Sequence, residues 1–144
     1  MVRPSRHAPV EPALVLVLEP DPHIAEQVLG VLASAHYRVS CAASGSEVEA
    51  LTRAERPSLV ILDRAQADVD GLVLTARLRA QTSAAIMLII ERGQTADAVL
   101  ALKLGADHVV SRPFDPQELE ARVEVVLRRV RGREGRGAQA RLRV

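Results

Sequence analysis

Residues 58–63 read Ser-Leu-Val-Ile-Leu-Asp, followed at 64–72 by Arg-Ala-Gln-Ala-Asp-Val-Asp-Gly-Leu. Four consecutive aliphatic residues leave no polar face. The run therefore predicts a strand covered on both sides, as in a parallel sheet between two layers of helices. It ends in an acid, Asp63, and the polar residues beyond lead to Gly71, where a helix over Gly71–Ala80 is expected. Upstream, Pro57 closes a helix that Ser44 and Glu47 open as a capping box, with Val48 and Leu51 on one face. The alternation continues in both directions. Ala13–Leu18 (ALVLVL), Tyr37–Cys41, Ala85–Ile90 (AIMLII) and His108–Ser111 (HVVS) predict four more strands. Asp21 and Pro22 cap a helix carrying Ile24, Val28, Val31 and Leu32. Thr95–Leu104 is another, stopped by Gly105. Asp115, Pro116 and Glu118 cap the last, with Leu119, Val123, Val126 and Val130 on its apolar stripe. Five strands alternating with five helices make one doubly wound α/β sheet with helices on both faces. Chemistry in such a sheet gathers at the carboxyl ends of the strands, here Glu19, Pro20, Asp63, Ile89, Ile90 and Arg112.

The 144 residues suit one domain with a single proper core. Apolar residues make up 48% of the chain, yet Tyr37 and Phe114 are the only aromatics, so the core is aliphatic. That argues against nucleic-acid modules built on base stacking. No apolar run reaches membrane-span length and the N-terminus lacks a signal-peptide core, which points to a cytoplasmic protein. Cys41, the single cysteine, excludes an internal disulfide and reads as a small core residue. The four histidines show no spacing for a transition metal. From Arg128 to Val144 there are seven arginines and one glutamate. Setting that +6 against the net charge of +1 leaves about −5 for the residues before it. Residues 1–12 are expected to be a loose arm, 13–130 the folded body, and 131–144 a basic linker. The Gly132–Gly137 run neither follows a strand nor opens a helix, so it is no phosphate loop.

Three stretches carry a resemblance: LVLEPDP at 16–22, LVILDRAQADVDGL at 59–72 and GADHVVSRPFDPQELEARV at 105–123. In this order on a five-fold β/α pattern they resemble the receiver domains of bacterial response regulators, across about Ala13 to Arg129. The ending looks most like the OmpR/PhoB class, whose receivers precede a winged-helix DNA-binding domain. The resemblance implies a flavodoxin/CheY-like (βα)5 fold. It also implies self-catalysed phosphorylation of an aspartate with a bound magnesium ion, held by an acidic pair after the first strand, by the acceptor and by a backbone carbonyl two residues on. By that correspondence Asp63 stands at the phosphoacceptor position and Ala65 supplies the carbonyl. Asp70-Gly71 keeps the turn into the third helix, and Arg112-Pro113 takes the Lys-Pro position, with a cis peptide bond expected.

Four departures stand out. The acidic pair is Glu19-Pro20, so one metal-binding carboxylate is replaced by a side chain without oxygen. Asp21 is next along but is expected to cap the first helix instead. The hydroxyl residue ending the fourth strand is Ile89, which either fills the vacated pocket or is ordinary core. Arg112 brings a planar fork in place of a lysine, and Val109 stands where a switch Tyr or Phe is usual. Asp63 is then either a living phosphoacceptor or a relic balanced by Arg112, whose charge stands in for a metal's. No metal or other cofactor is expected to be bound in strength; any magnesium would rest weakly on Glu19, Asp63 and the Ala65 carbonyl.

The resemblance also implies a parallel homodimer through the fourth helix, fifth strand and fifth helix. Glu118 and Arg122 match the family's charged positions on the fifth helix, while their usual partners are replaced by Ala98 and His108. Lys103 and Glu124 look like a third pair with its signs exchanged; alternatively both are solvated surface charges. Ala140–Val144 resembles the start of the small sheet of a winged-helix domain, so DNA binding would belong to a part beyond this chain. The expected function is an atypical, phosphorylation-independent receiver that dimerises a transcription regulator and is not an enzyme, with a histidine kinase left open as a partner. The rivals are a working receiver phosphorylated at Asp63, a sensor of an acidic metabolite in a pocket lined by Arg112 and Arg64, and a stand-alone adaptor.

Overall fold

The computed structural model describes residues 12–65 and 68–142. Of the arm expected over 1–12, residues 1–11 lie outside the described residues. Five strands, β1 (Leu14–Leu18), β2 (Arg38–Cys41), β3 (Leu59–Asp63), β4 (Ala85–Glu91) and β5 (His108–Arg112), alternate with five helices. These are α1 (Pro22–Ser34), α2 (Gly45–Glu55), α3 (Gly71–Gln81), α4 (Thr95–Leu104) and α5 (Pro116–Leu142). All pairings are parallel, in the order β2-β1-β3-β4-β5. From β1, second in the sheet, the chain winds out to β2 at the edge and then crosses back to β3, so the order reverses between β1 and β3. That switch point opens a crevice at the carboxyl ends of those strands.

The apolar runs were unbroken because both faces are covered. Val15, Val17, Leu59, Ile61, Met87 and Ile89 point to the layer of α1 and α5, packing on Val28, Leu32, Leu119 and Val123. Their neighbours Leu16, Leu18, Val60, Leu62, Ile86 and Leu88 point the other way, onto Val48, Leu74, Leu78 and Ala101 of α2, α3 and α4. The period of two along each strand makes this division. The same period assigns Glu19, Asp63, Glu91 and Arg112 to the α1/α5 face, in phase with Val17, Ile61, Ile89 and Val110.

Helix starts follow the expected chemistry. Asp21 Oδ1 accepts the His23 amide at 2.9 Å, and Ser44 Oγ accepts that of Glu47 at 3.2 Å. Glu47 reaches back to the Ala43 amide, one residue earlier than a standard capping box. Asp115 accepts from Gln117, but Glu118 does not join this cap; its carboxylate pairs instead with Arg122, one turn on. Two readings need correction. Cys41 is exposed, because it ends β2, the edge strand of the sheet. The described residues 131–142, expected as a linker, are helical: α5 runs on to Leu142, through the stretch resembling the opening of a small sheet. No proline stops the helix there, so it propagates from the anchored Leu119–Val130 stripe although three glycines each weaken it by about 1 kcal/mol. Residues 143–144 lie outside the described residues.

Candidate functional site

At the switch point three carboxylates converge on one guanidinium. Arg112, the last residue of β5, places Nη1 2.7 Å from Asp63 Oδ2 and 3.6 Å from Glu19 Oε1. Its Nη2 lies 2.7 Å from Glu91 Oε1. The Asp63 and Glu19 side chains are wholly buried, whereas Glu91 closes the cluster from the solvent side with 63% of its side chain exposed. Asp63 Oδ1 accepts the Ala65 amide at 2.7 Å, and that amide is what Ala65 contributes here. The Arg112–Pro113 bond is cis, as expected.

Glu19 completes the arrangement. Its Oε1 accepts the Asp21 amide at 3.2 Å, while Oε2 is buried with no donor directed at it among the described residues. Burial, then a hydrogen bond to the Asp63 carboxylate and that carboxylate's charge, push the Glu19 carboxyl up to about 8. Two adjoining carboxyl groups hydrogen-bond only by sharing a proton. Burial and the neighbouring Asp63 thus favour the protonated form of Glu19.

Pro20 is exposed and Asp21 is engaged in its helix cap. Ile89 is fully buried in the α1/α5 core, directly beside Asp63 in the β3–β4 register, and Val109 is half-buried against the opposite core. A shallow cleft of 330 Å³ borders the cluster, lined by Asp21, Ile24, Glu91, Arg112 and Pro113. Arg64 is not in that lining: its guanidinium lies 3.2 Å from Asp70 and 3.0 Å from Asp97. Both arginines assigned to an anion pocket are thus occupied by the protein's own carboxylates.

Glu91 and the Arg64–Asp97 pair were missed by sequence reasoning. Glu91 had a signal, since it ends the AIMLII run in phase with Ile89. Asp68 is a further one. It accepts the Gly45 amide at 2.9 Å and the Ser46 amide at 3.2 Å, and the Gly45 hydrogen bond foremost holds its carboxyl below the ordinary range. The loop leaving β3 is thereby fastened to α2 on one side and α4 on the other. Gly71 lets α3 start against that loop: a Cβ there would stand 2.5 Å from the Arg64 Cα.

On the α5 side, Arg122 bonds Glu118 at 2.8 Å and His108 Nε2 at 2.6 Å. Burial first, and then Arg122, lower the His108 pKa, which keeps Nε2 free to accept. Glu124 pairs with Arg128 in its own helix at 3.0 Å, and Lys103 is exposed in the last turn of α4. Val125, with His108, Glu118, Arg122 and Arg129, lines a hollow of 360 Å³ on this face. Among the described residues no cluster of three or more metal-ligating side chains is poised around a common point, and no helix is long and apolar enough to cross a membrane.

A parallel five-stranded sheet whose switch point carries a strand-end aspartate defines a class, and the comparisons agree with it. Residues 15–124 match the response regulator receiver domain, and the chain belongs to that family. Its relatives are response regulators of the OmpR/PhoB type. The DNA-binding response regulator MtrA of Mycolicibacterium smegmatis is 36% identical over 80% of this chain and 50% of its own length. The transcriptional regulatory protein AruR of Pseudomonas aeruginosa is 35% identical over 88% of this chain and 54% of its own. The chain thus spans about half the length of the curated relatives it matches. Among solved structures, the receiver domain of the TMAO respiratory response regulator TorR superposes with a TM-score of 0.78 at 29% identity, covering 83% of this chain and 99% of that one. The BeF3-activated receiver of Klebsiella pneumoniae RstA gives 0.75 at 27%, covering 80% and 98%.

Proposed function

We propose that this chain is an atypical receiver that works without phosphorylation and serves to dimerise a DNA-binding transcription regulator in the cytoplasm. The observation that carries the reading is the 2.7 Å pair between Arg112 and Asp63. An acceptor carboxylate must be free to attack phosphorus with a cation polarising the incoming group. Here one Asp63 oxygen is bound to a guanidinium and the other to the Ala65 amide. The residues do not fit magnesium. An octahedral site would need Glu19 to lose its proton and Arg112 to leave, with Pro20 adding no oxygen. We therefore assign no metal, no turnover and no required histidine kinase to this chain.

What then remains is the α4–β5–α5 face, which exposes Val99, Leu102 and Val125 beside Lys103, Glu118, Arg122 and Glu124. Relatives of twice the matched length include a DNA-binding regulator; we place DNA binding in a segment outside this chain. Intact-mass measurement after incubation with acetyl phosphate, with and without Mg²⁺ and beside Asp63→Asn, tests the proposal. The expected result is no adduct from folded protein. A magnesium-dependent phosphoryl adduct that Asp63→Asn lacks would establish a working phosphoacceptor instead.

A further inference from the structure

We infer that Arg64, the residue after Asp63, is a positioning residue that ties helix α4 to the loop leaving the pocket. The backbone of Arg64 is fixed at both ends: its amide donates to the Ile89 carbonyl at 2.8 Å, and its carbonyl accepts the Gly71 amide at 2.9 Å. From this anchored base the side chain spans two elements. Nη1 lies 3.2 Å from Asp70, whose other oxygen caps α3 through the Leu72 amide. Nε lies 3.0 Å from Asp97 in the first turn of α4. The Nε–H does not point squarely at Asp97, so the contact is an ion pair rather than an aligned hydrogen bond.

α4 has few other anchors. Its N-cap, Gln94, makes no side-chain cap bond, and Ala101 is its one fully buried residue, while Val99, Leu100 and Leu102 are exposed. An element held by little buried apolar surface opens locally more readily than its neighbours. The ion pair at its first turn therefore adds a measurable share to the packing of Ala98, Ala101 and Leu104. Asp97 is also well placed for the positive end of the helix, so Arg64 holds α4 by the end that Asp97 stabilises. The consequence for dimerisation rests on reading α4 as part of the dimer face; the tether does not.

Hydrogen exchange of the α4 amides, measured beside the dimer dissociation constant from sedimentation, tests both. Arg64→Gln is expected to speed α4 exchange about three- to fivefold, the size of a partly exposed ion pair, and Asp97→Asn somewhat more, since it also loses the favourable charge at the helix start. The double variant should add nothing beyond Asp97→Asn, and the α1 and α5 amides should be unchanged, which shows the fold intact. The dimer constant should rise in step. Unchanged α4 exchange in Arg64→Gln overturns the tether. Faster exchange with an unchanged dimer constant overturns its link to the dimer face. A chain that is monomeric throughout overturns the dimer reading itself, with exchange still deciding the tether.

Discussion

A protonated Glu19 beside Asp63 makes the stability of this fold depend on pH in an unusual direction. In the unfolded chain Glu19 titrates near 4.5, and in the folded protein near 8. Between those values the native state holds a proton that the unfolded chain has released. Stability is therefore fully present below pH 4.5 and drains away as pH rises through the window to about 8, the opposite of a carboxylate held by a salt bridge. Arg112 limits the loss, since its guanidinium draws Glu19 toward ionisation and already balances Asp63. Glu19→Gln keeps the buried shape without the titration. The variant should match the parent at pH 5, melt higher than the parent at pH 8.5, and lose the slope between. Urea melts across that range check it, and a parent profile flat from pH 5 to 8.5 would remove the shared proton from the cluster. The residues of this cluster were legible singly, because each ends an apolar run. Their joint protonation state was not. It follows from distances and burial that only the folded sheet sets, and Glu91 entered the cluster only when β4 proved one residue longer than its aliphatic run.

At the scale of elements, one side chain staples the amino edge of the sheet. Arg79 of α3 donates to the carbonyls of Thr82 at 2.6 Å, Ala84 at 2.8 Å and Gly105 at 3.2 Å, and pairs with Asp107 at 3.1 Å. It thus joins the end of α3, the entry to β4 and the turn between α4 and β5. Gly105 makes room for it: with φ at +119° the position favours glycine, and a Cβ would stand 2.4 Å from the Arg79 Cγ. Replacing Arg79 by Met keeps the stem and abandons three carbonyls and a carboxylate. With 28% of the side chain exposed, water recovers part of that, so the expected cost is about 3 kcal/mol, or roughly 10 °C in melting temperature. A loss under about 1 kcal/mol would show that these carbonyls are served by solvent. The order and type of all ten elements could be read from runs, caps and breakers, since those signals are local. Arg79 carried no such local signal, because the two partners that tie it to another element, Gly105 and Asp107, lie 26 and 28 residues away. The exposure of Cys41 and the helical run of α5 to Leu142 were not legible for related reasons: edge position and helix propagation depend on neighbours that composition does not specify.

The whole molecule poses the question of what a receiver does when the acceptor position is paired with an arginine of its own chain. An acidic body with an arginine-rich end favours association through specific charged positions over bulk attraction, and C2 symmetry makes each such position count twice. Lys103 on α4 and Glu124 on α5 are the pair that, by the resemblance drawn from the sequence, looks exchanged in sign, and the proposed dimer puts that resemblance to the test. Within one chain Glu124 is held by Arg128 at 3.0 Å, but both side chains are more than 60% exposed, so that bond is weak and easily exchanged for a partner's Lys103. Lys103→Glu or Glu124→Lys alone sets like charges against each other at two symmetric places. The dimer constant should then weaken roughly tenfold, from two contacts of about 0.5–1 kcal/mol each. The double reversal should restore it, and the Lys103→Glu chain should pair better with the Glu124→Lys chain than either does with itself. Sedimentation at low salt, where exposed charges are least screened, checks all four combinations. Equal constants for all four would leave both residues as solvated helix charges and shift the weight of association to Val99, Leu102 and Val125. Recovery in the double variant would instead give this chain a pairing code that keeps it from joining receivers with the ordinary signs.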